Sequence, residues 1–260
     1  LAPGLQRELY RSGAVATQQA VVLTSEPITE FSTPNVALVS ALSALSSASP
    51  LVIHFAELDD GGGHTASYIS ITCTAGMIEP VSITGQVKSR ATLAVRIHHI
   101  SADGDTAPYT IGTTAPTGAV LTPGYVLGDL NLGGSLTGVQ AATFTWGYTV
   151  KNDAGENGFP YPTLCYTGQF EAMLTATVHD LAEATLARLR AGSVQTTVVL
   201  KFRLLSAAAA LPVDTGGLSI TAAKVHMMFD TLAGGEESAL EISAAVIQSG
   251  VSYVSFAAVA

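Results

Sequence analysis

The sequence predicts a mainly β fold, an antiparallel β-sandwich or partial barrel with short flanking helices. Three observations carry that prediction. Apolar residues alternate with a period of two, most plainly where Leu93, Val95, Ile97 and His99 interleave with Ala94, Arg96 and His98. Clusters of Gly, Asp, Pro and Ser punctuate these runs at short intervals. Only two stretches carry helical periodicity, and both are short.

Taken in order, residues 18–28 read as a first strand, with Val21, Val22 and Leu23 bounded by Pro27. Residues 34–47 read as a helix. Thr33 is its expected N-cap, Pro34 suits the first position, Leu38, Leu42 and Leu45 share a face, and Pro50 stops it. Strands are expected at 51–58, 67–74, 81–88 and 92–100, separated by Asp59-Asp60-Gly61-Gly62-Gly63, Ala75-Gly76 and Ser89-Arg90. After the turn-rich stretches 101–105 and 113–123, strands are expected at 125–132 and 139–150, where Phe144, Trp146 and Tyr148 alternate onto one face. A polar loop at 151–158 leads to a long or bent strand, 163–178, interrupted at Gly168. Asp180 with Glu183 resembles a capping box for a helix carrying Leu181, Leu186 and Leu189 and closed by Gly192. Strands at 194–205, 218–229, 240–248 and 251–256 complete the pattern. The stretch 113–123 is the best boundary, dividing the chain into β units 1–122 and 123–260 with one helix each, although the same order fits one continuous domain.

Charge is scarce. Charged residues make up 12% of the chain, against about 25% in an ordinary soluble protein, so much of the surface is expected to be covered by other copies of the chain. The net charge of −9 argues against a nucleic-acid reader, because phosphate affinity comes from clustered Lys and Arg. An acidic wall does let a duplex slide past without sticking. The groups Lys88/Arg90/Arg96, Arg188/Arg190 and Lys201/Arg203 read as solvated or intersubunit ion-pairing faces. The longest apolar run, 206–213, contains Pro212 and is far short of the ~20 residues a membrane helix needs, so no membrane span is expected. Residues 1–10 are polar and contain Pro3-Gly4, which is not the pattern of a secretory signal. Cys73 and Cys165 are expected to be isolated buried thiols, as suits a reducing cytosol.

No catalytic grammar emerges. There is no Gly-x-Ser-x-Gly elbow, and Gly61-Gly62-Gly63-His64 reads as a hairpin turn. His54, His64, His98, His99, His179 and His226 are scattered, with His98 and His99 on opposite faces of one strand, so no metal site is assigned. Asp59-Asp60-Gly61 and Asp103-Gly104-Asp105 are fragments of calcium loops and read as turns. Phosphate-binding Gly-x-Gly-x-x-Gly is absent. The reading is therefore non-enzymatic, with no catalytic residue and no cofactor. Hairpin tips at 59–64 and 151–159 are candidates to reach a neighbouring subunit, and the charge-free strands 67–74 and 139–145 are candidates to pair edge to edge with another copy.

The run Gly76-Met77-Ile78-Glu79-Pro80-Val81-Ser82-Ile83, then Thr92-Leu93-Ala94-Val95, then Ser101-Ala102-Asp103-Gly104 before Pro108, resembles the bacteriophage major tail proteins, the tail-tube family. So do Val139 to Trp146 leading into Tyr161-Pro162-Thr163, and the ending at 218–229 and 240–248; together these touch about half of the chain. The resemblance implies a β-sandwich or partial barrel with a flanking helix, whose subunits close into rings around a continuous β-barrel wall. Stacked rings would form the channel for DNA ejection. Its implied partners are the chain itself, as a trimer or hexamer per ring, other virion tail proteins, and passing DNA without specific binding. The implied location is the virion tail, assembled in the host cytoplasm. The repeated strand and helix order admits two tandem tube-like units, with which a trimer imitates six. Asp59, Asp60, Asp153 and Glu156 are the candidate lumen or ring-stacking positions. Competing readings are a jelly-roll capsid or decoration protein and a secreted carbohydrate-binding β-sandwich, the latter thinly supplied with aromatics by its one tryptophan, Trp146.

Overall fold

The computed structural model describes residues 2–10, 19–42, 50–58, 64–116, 123–153, 158–179, 192–205, 211–233, 239–248 and 253–259. Its first eight strands are β1 (Ala2–Tyr10), β2 (Gln19–Thr33), β3 (Leu51–Leu58), β4 (His64–Cys73), β5 (Gly76–Gln86), β6 (Thr92–His99), β7 (Tyr109–Gly112) and β8 (Gly124–Asn131). The rest are β9 (Val139–Thr145), β10 (Tyr148–Asp153), β11 (Leu164–Phe170), β12 (Met173–Val178), β13 (Val194–Leu205), β14 (Val213–Ala233), β15 (Ala239–Ile247) and β16 (Val254–Ala258). The fold is mainly β, and all of these strand pairings are antiparallel. Among the described residues no helix is long and apolar enough to cross a membrane.

Eleven strands make one sheet in the order β1-β2-β6-β5-β9-β12-β15-β14-β13-β8, with β16 added to β14. The sheet curls over on itself like a sandwich. Its last strand returns to the β5–β6 turn, where Ala91 N–H donates to the Tyr125 carbonyl (2.7 Å) and Arg90 bridges Val126. That single bridge leaves the barrel open. The curl requires Gly85 on β5, because a Cβ there would press on Phe202 and Leu127 from the opposing layer. Between the layers lie Ile83, Leu93, Ile97, Phe144, Leu200, Phe202, Leu218 and Leu240, all fully buried. This core and the β5–β9 pairing draw on strands from both sides of residues 113–123.

Several elements differ from expectation. In place of the helix over 34–47 there is a six-residue 3-10 helix, Val36–Ala41. Its three-residue repeat places Val36 and Val39 on one side, and both are buried where the helix meets β6, β14 and β16. Thr33 does not cap it, since its hydroxyl accepts from the Asn35 N–H only two residues on (3.2 Å). Residues 43–47 of that predicted helix, and 180–191 of the second, lie outside the described residues. The first strand runs through Pro27, which faces Pro3 on β1 at a pair where neither residue can donate.

The predicted strands 139–150 and 163–178 each break in two, at matching levels. Gly147 has a left-handed backbone (φ +62), and a Cβ there would overlap the Glu171 carbonyl oxygen. At this bend the β9–β12 pair leaves the main sheet and continues as the separate ribbon β10–β11. Phe144 and Trp146 consequently meet edge to face in the core (centroids 5.0 Å apart), whereas Tyr148 swings onto the ribbon and stacks on Phe170 (4.7 Å). The three aromatics do not share one face. The strands expected to be free edges are interior, β4 lying between β3 and β7 and β9 between β5 and β12.

Candidate assembly surface

β3, β4 and β7 form a separate three-stranded sheet. Its register aligns Leu51 with Cys73 and Tyr109, Ile53 with Ile71 and Ile111, and Phe55 with Ile69, so one face is apolar over these positions. The opposite face is partly covered by residues 113–116. There the Thr114 N–H donates to the Ser70 hydroxyl (3.3 Å), and the His54 imidazole donates through Nδ1 to the Thr114 carbonyl (3.0 Å). Among the described residues the apolar face has no such cover. Phe55, Ile69 and Ile111 are 53%, 54% and 72% exposed. Residues 51–56, 67–73 and 109–116 contain no Asp, Glu, Lys or Arg. Only at its inner end, where Cys73 is fully buried and burial pushes the thiol pKa up, does this face join the body.

A second uncharged surface lies on the outside of the large sheet. Register places Ser82, Thr145, Met173 and Ala245 in one row, Thr84, Thr143, Thr175 and Ser243 in the next, and Gln86, Ala141, Thr177 and Glu241 in a third. Their neighbours Ile83, Ala142, Phe144, Leu174, Ala176 and Ile242 point into the core. Across these four strands Glu241 is the one charge among the twelve positions named. Solvated sheet faces normally carry charges of both signs. This wall offers hydroxyls and methyls instead, joined locally by the Thr143 hydroxyl donating to that of Thr84 (3.2 Å), and it holds a shallow depression of about 280 Å³ lined by Ala141, Thr143, Thr175, Thr177 and Glu241.

Two clusters of charge are paired within the chain. Glu79 on β5 is buried and accepts from His98 Nε2–H (2.8 Å), with Arg96 at 3.6 Å. Arg96 also donates through Nε to Glu30 on β2 (2.6 Å), a hydrogen bond that, with the nearby carboxylates, holds the guanidinium even more firmly charged. On the other face of the same strand, buried His99 shares a 2.8 Å hydrogen bond with Thr29, and burial lowers its pKa to about 4. Arg203 pairs with Asp214 (2.9 Å) and Asp129 (3.3 Å). One arginine from each of two expected basic faces, Arg96 and Arg203, is thus paired inside the chain. Among the described residues no three His, Cys, Asp or Glu gather in a way that could hold a metal ion.

Of the acidic positions expected at the lumen or between rings, Asp153 is exposed at the end of β10 opposite Leu164, in a strand and not in a loop. Asp59, Asp60 and Glu156 lie outside the described residues. Cys73 and Cys165 are both free thiols, and Cys165 is only partly buried; its Sγ–H donates to Asn152 (3.0 Å), and burial, then Glu26, pushes its pKa up to about 11. Sequence reasoning missed the apolar face. Its signal was the alternation of Leu51, Ile53 and Phe55 against Ile69 and Ile71, which reports a shared face but not whether anything covers it. It also missed the Glu79 cluster, for which the signal was a carboxylate inside an otherwise uncharged strand. No protein-family model matches the chain, and no curated protein sequence matches it.

Proposed function

We propose that this chain is a non-enzymatic structural subunit that assembles with copies of itself, and that it serves as a tail-tube subunit of a long-tailed bacteriophage. The observation that carries the reading is the outer wall of the large sheet, four strands wide and bearing one carboxylate at Glu241. A partly exposed wall of Thr, Ser and Ala with so little charge suits burial against a like surface better than permanent contact with water. In this reading three or six chains close into a ring, rings stack, and other virion tail proteins cap the tube. The net charge of −9 keeps passing DNA from adhering to the channel. Assembly takes place in the host cytoplasm and the product resides in the virion.

Negative-stain microscopy of the purified chain, paired with light scattering over a wide concentration range, tests this. Rings or tubes with a central channel are the expected outcome. A single-chain particle at every concentration overturns the reading, and closed shells point to the capsid alternative.

A further inference from the structure

The geometry points to the apolar face of the β3–β4–β7 sheet as a docking surface for a second copy of this chain, an inference that rests on the assembly reading above. An exposed apolar face rimmed by polar residues is a feature that marks interaction sites on soluble proteins. Here the opposite face is partly covered by the 113–116 segment, held through Ser70 and His54, while Phe55, Ile69 and Ile111 remain more than half exposed. The outer edges of β3 and β7 are unpaired among the described residues; β7 has no Lys, Pro or charge to keep it apart from another strand, and β3 has one charge, Glu57 near its end.

Charge selects the occupant. Copies that each carry −9 repel, and they approach most easily where carboxylates are fewest; no Asp, Glu, Lys or Arg lies in 51–56, 67–73 or 109–116, and the one charge on the three strands is Glu57 at the far end of β3. A partner with an ordinary surface, about a quarter charged, would strand its own charges against isoleucine. The chain's own surfaces, this face and the Thr/Ser/Ala wall, supply the uncharged counterpart. Area sets the manner of association. At roughly 200 Å² for a fully exposed large apolar side chain, the exposures of Phe55, Ile69 and Ile111 amount to about 350 Å². A stable isolated pair needs about 800 Å² from each partner. The face therefore acts together with a second contact on each copy, as in a closed ring or a polymer, and does not hold a dimer alone.

The test compares the full chain with Ile111→Glu and with Ile111→Cys. Ile111 is so exposed that neither change disturbs the core, and an unchanged melting curve verifies this. Ile111→Glu is expected to raise the concentration for half-assembly, read by light scattering, by about tenfold or more. Ile111→Cys is expected to react with a bulky maleimide in dilute, dissociated protein and to be protected in assembled protein, with the parent chain as the control for Cys73 and Cys165. If the parent assembles, Ile111→Glu assembles equally well and the introduced thiol stays reactive in the assembly, the docking proposal falls while the assembly reading stands. If the parent remains a single chain throughout, the face has a different occupant and both fall.

Discussion

His99 sits where its charged form cannot be solvated, at the buried end of β6 with Thr29 on its Nε2, and burial lowers its pKa from 6.5 to about 4. The unfolded chain takes up this proton as pH falls through 6.5, while the folded chain resists until about 4. The stability owed to neutral His99 is therefore complete above pH 6.5 and is lost between there and about 4. At 1.36 kcal/mol per unit, that loss is roughly 2–4 kcal/mol. Asp103 does not confuse this window, because hydrogen bonds from Thr106 and Ser101 hold its carboxyl far below the usual range. Urea unfolding near neutrality and near pH 4 should show the loss in the parent and a shallower one in His99→Asn; equal slopes in both would sink the assignment. The neighbouring cluster separates a buried acceptor from an exposed one. Glu79→Ala leaves His98 and Arg96 without their shared carboxylate in a dry site and should destabilise by about 2–4 kcal/mol. Glu30→Ala removes a carboxylate that is 63% exposed and should cost less than about 1 kcal/mol. Denaturation midpoints at neutral pH decide, and an equal effect from the two substitutions would refute the ranking.

Among the elements, the bend at Gly147 organises the most structure. It diverts one long hairpin from the sheet into the β10–β11 ribbon, which lies across β2 through the Ser25 N–H to Pro160 carbonyl bond (2.6 Å) and the Asn152 to Glu26 bond (2.9 Å). The ribbon is anchored by Phe170 between Tyr148 and Tyr253, whose hydroxyl accepts from Ala172 N–H and donates to the Val246 carbonyl. Gly147→Ala meets both a left-handed backbone and the Glu171 carbonyl, so it should destabilise by more than about 2 kcal/mol. A thermal melt indistinguishable from the parent's would show that the bend is set elsewhere. Sequence periodicity could not reveal this bend, because Phe144, Trp146 and Tyr148 keep the period of two straight through it. Periodicity did suffice for β3 and β13, whose bounds match the predicted 51–58 and 194–205. It offered no strand for β1, where Pro3, Gly4, Arg7 and Glu8 break the alternation, or for the four-residue β7 beside turn-like sequence. Of the candidate site, the apolar alternation was visible. Its exposure was not, because cover is a property of distant segments such as 113–116.

For the molecule as a whole, charge scarcity and charge placement act in the same direction. Arg96 and Arg203 are neutralised inside the chain, so the net −9 falls on a surface whose large wall and small apolar face stay nearly uncharged. In the proposed assembly, contact through such faces would be opposed by the general repulsion of like-charged bodies and favoured by apolar burial. Salt weakens the first, since the screening length shrinks from about 30 Å at 0.01 M to about 3 Å at 1 M, and does not weaken the second. Raising sodium chloride from about 0.05 M to about 0.5 M should therefore strengthen self-association of the full chain or leave it unchanged. A contact built on intersubunit ion pairs has the opposite sign, and loosens as the same salt is added. Sedimentation velocity at the two salt concentrations separates these outcomes: a larger assembled fraction at high salt places the contact on uncharged faces, whereas dissociation at high salt places it on Asp, Glu, Lys and Arg and overturns the assignment of both surfaces.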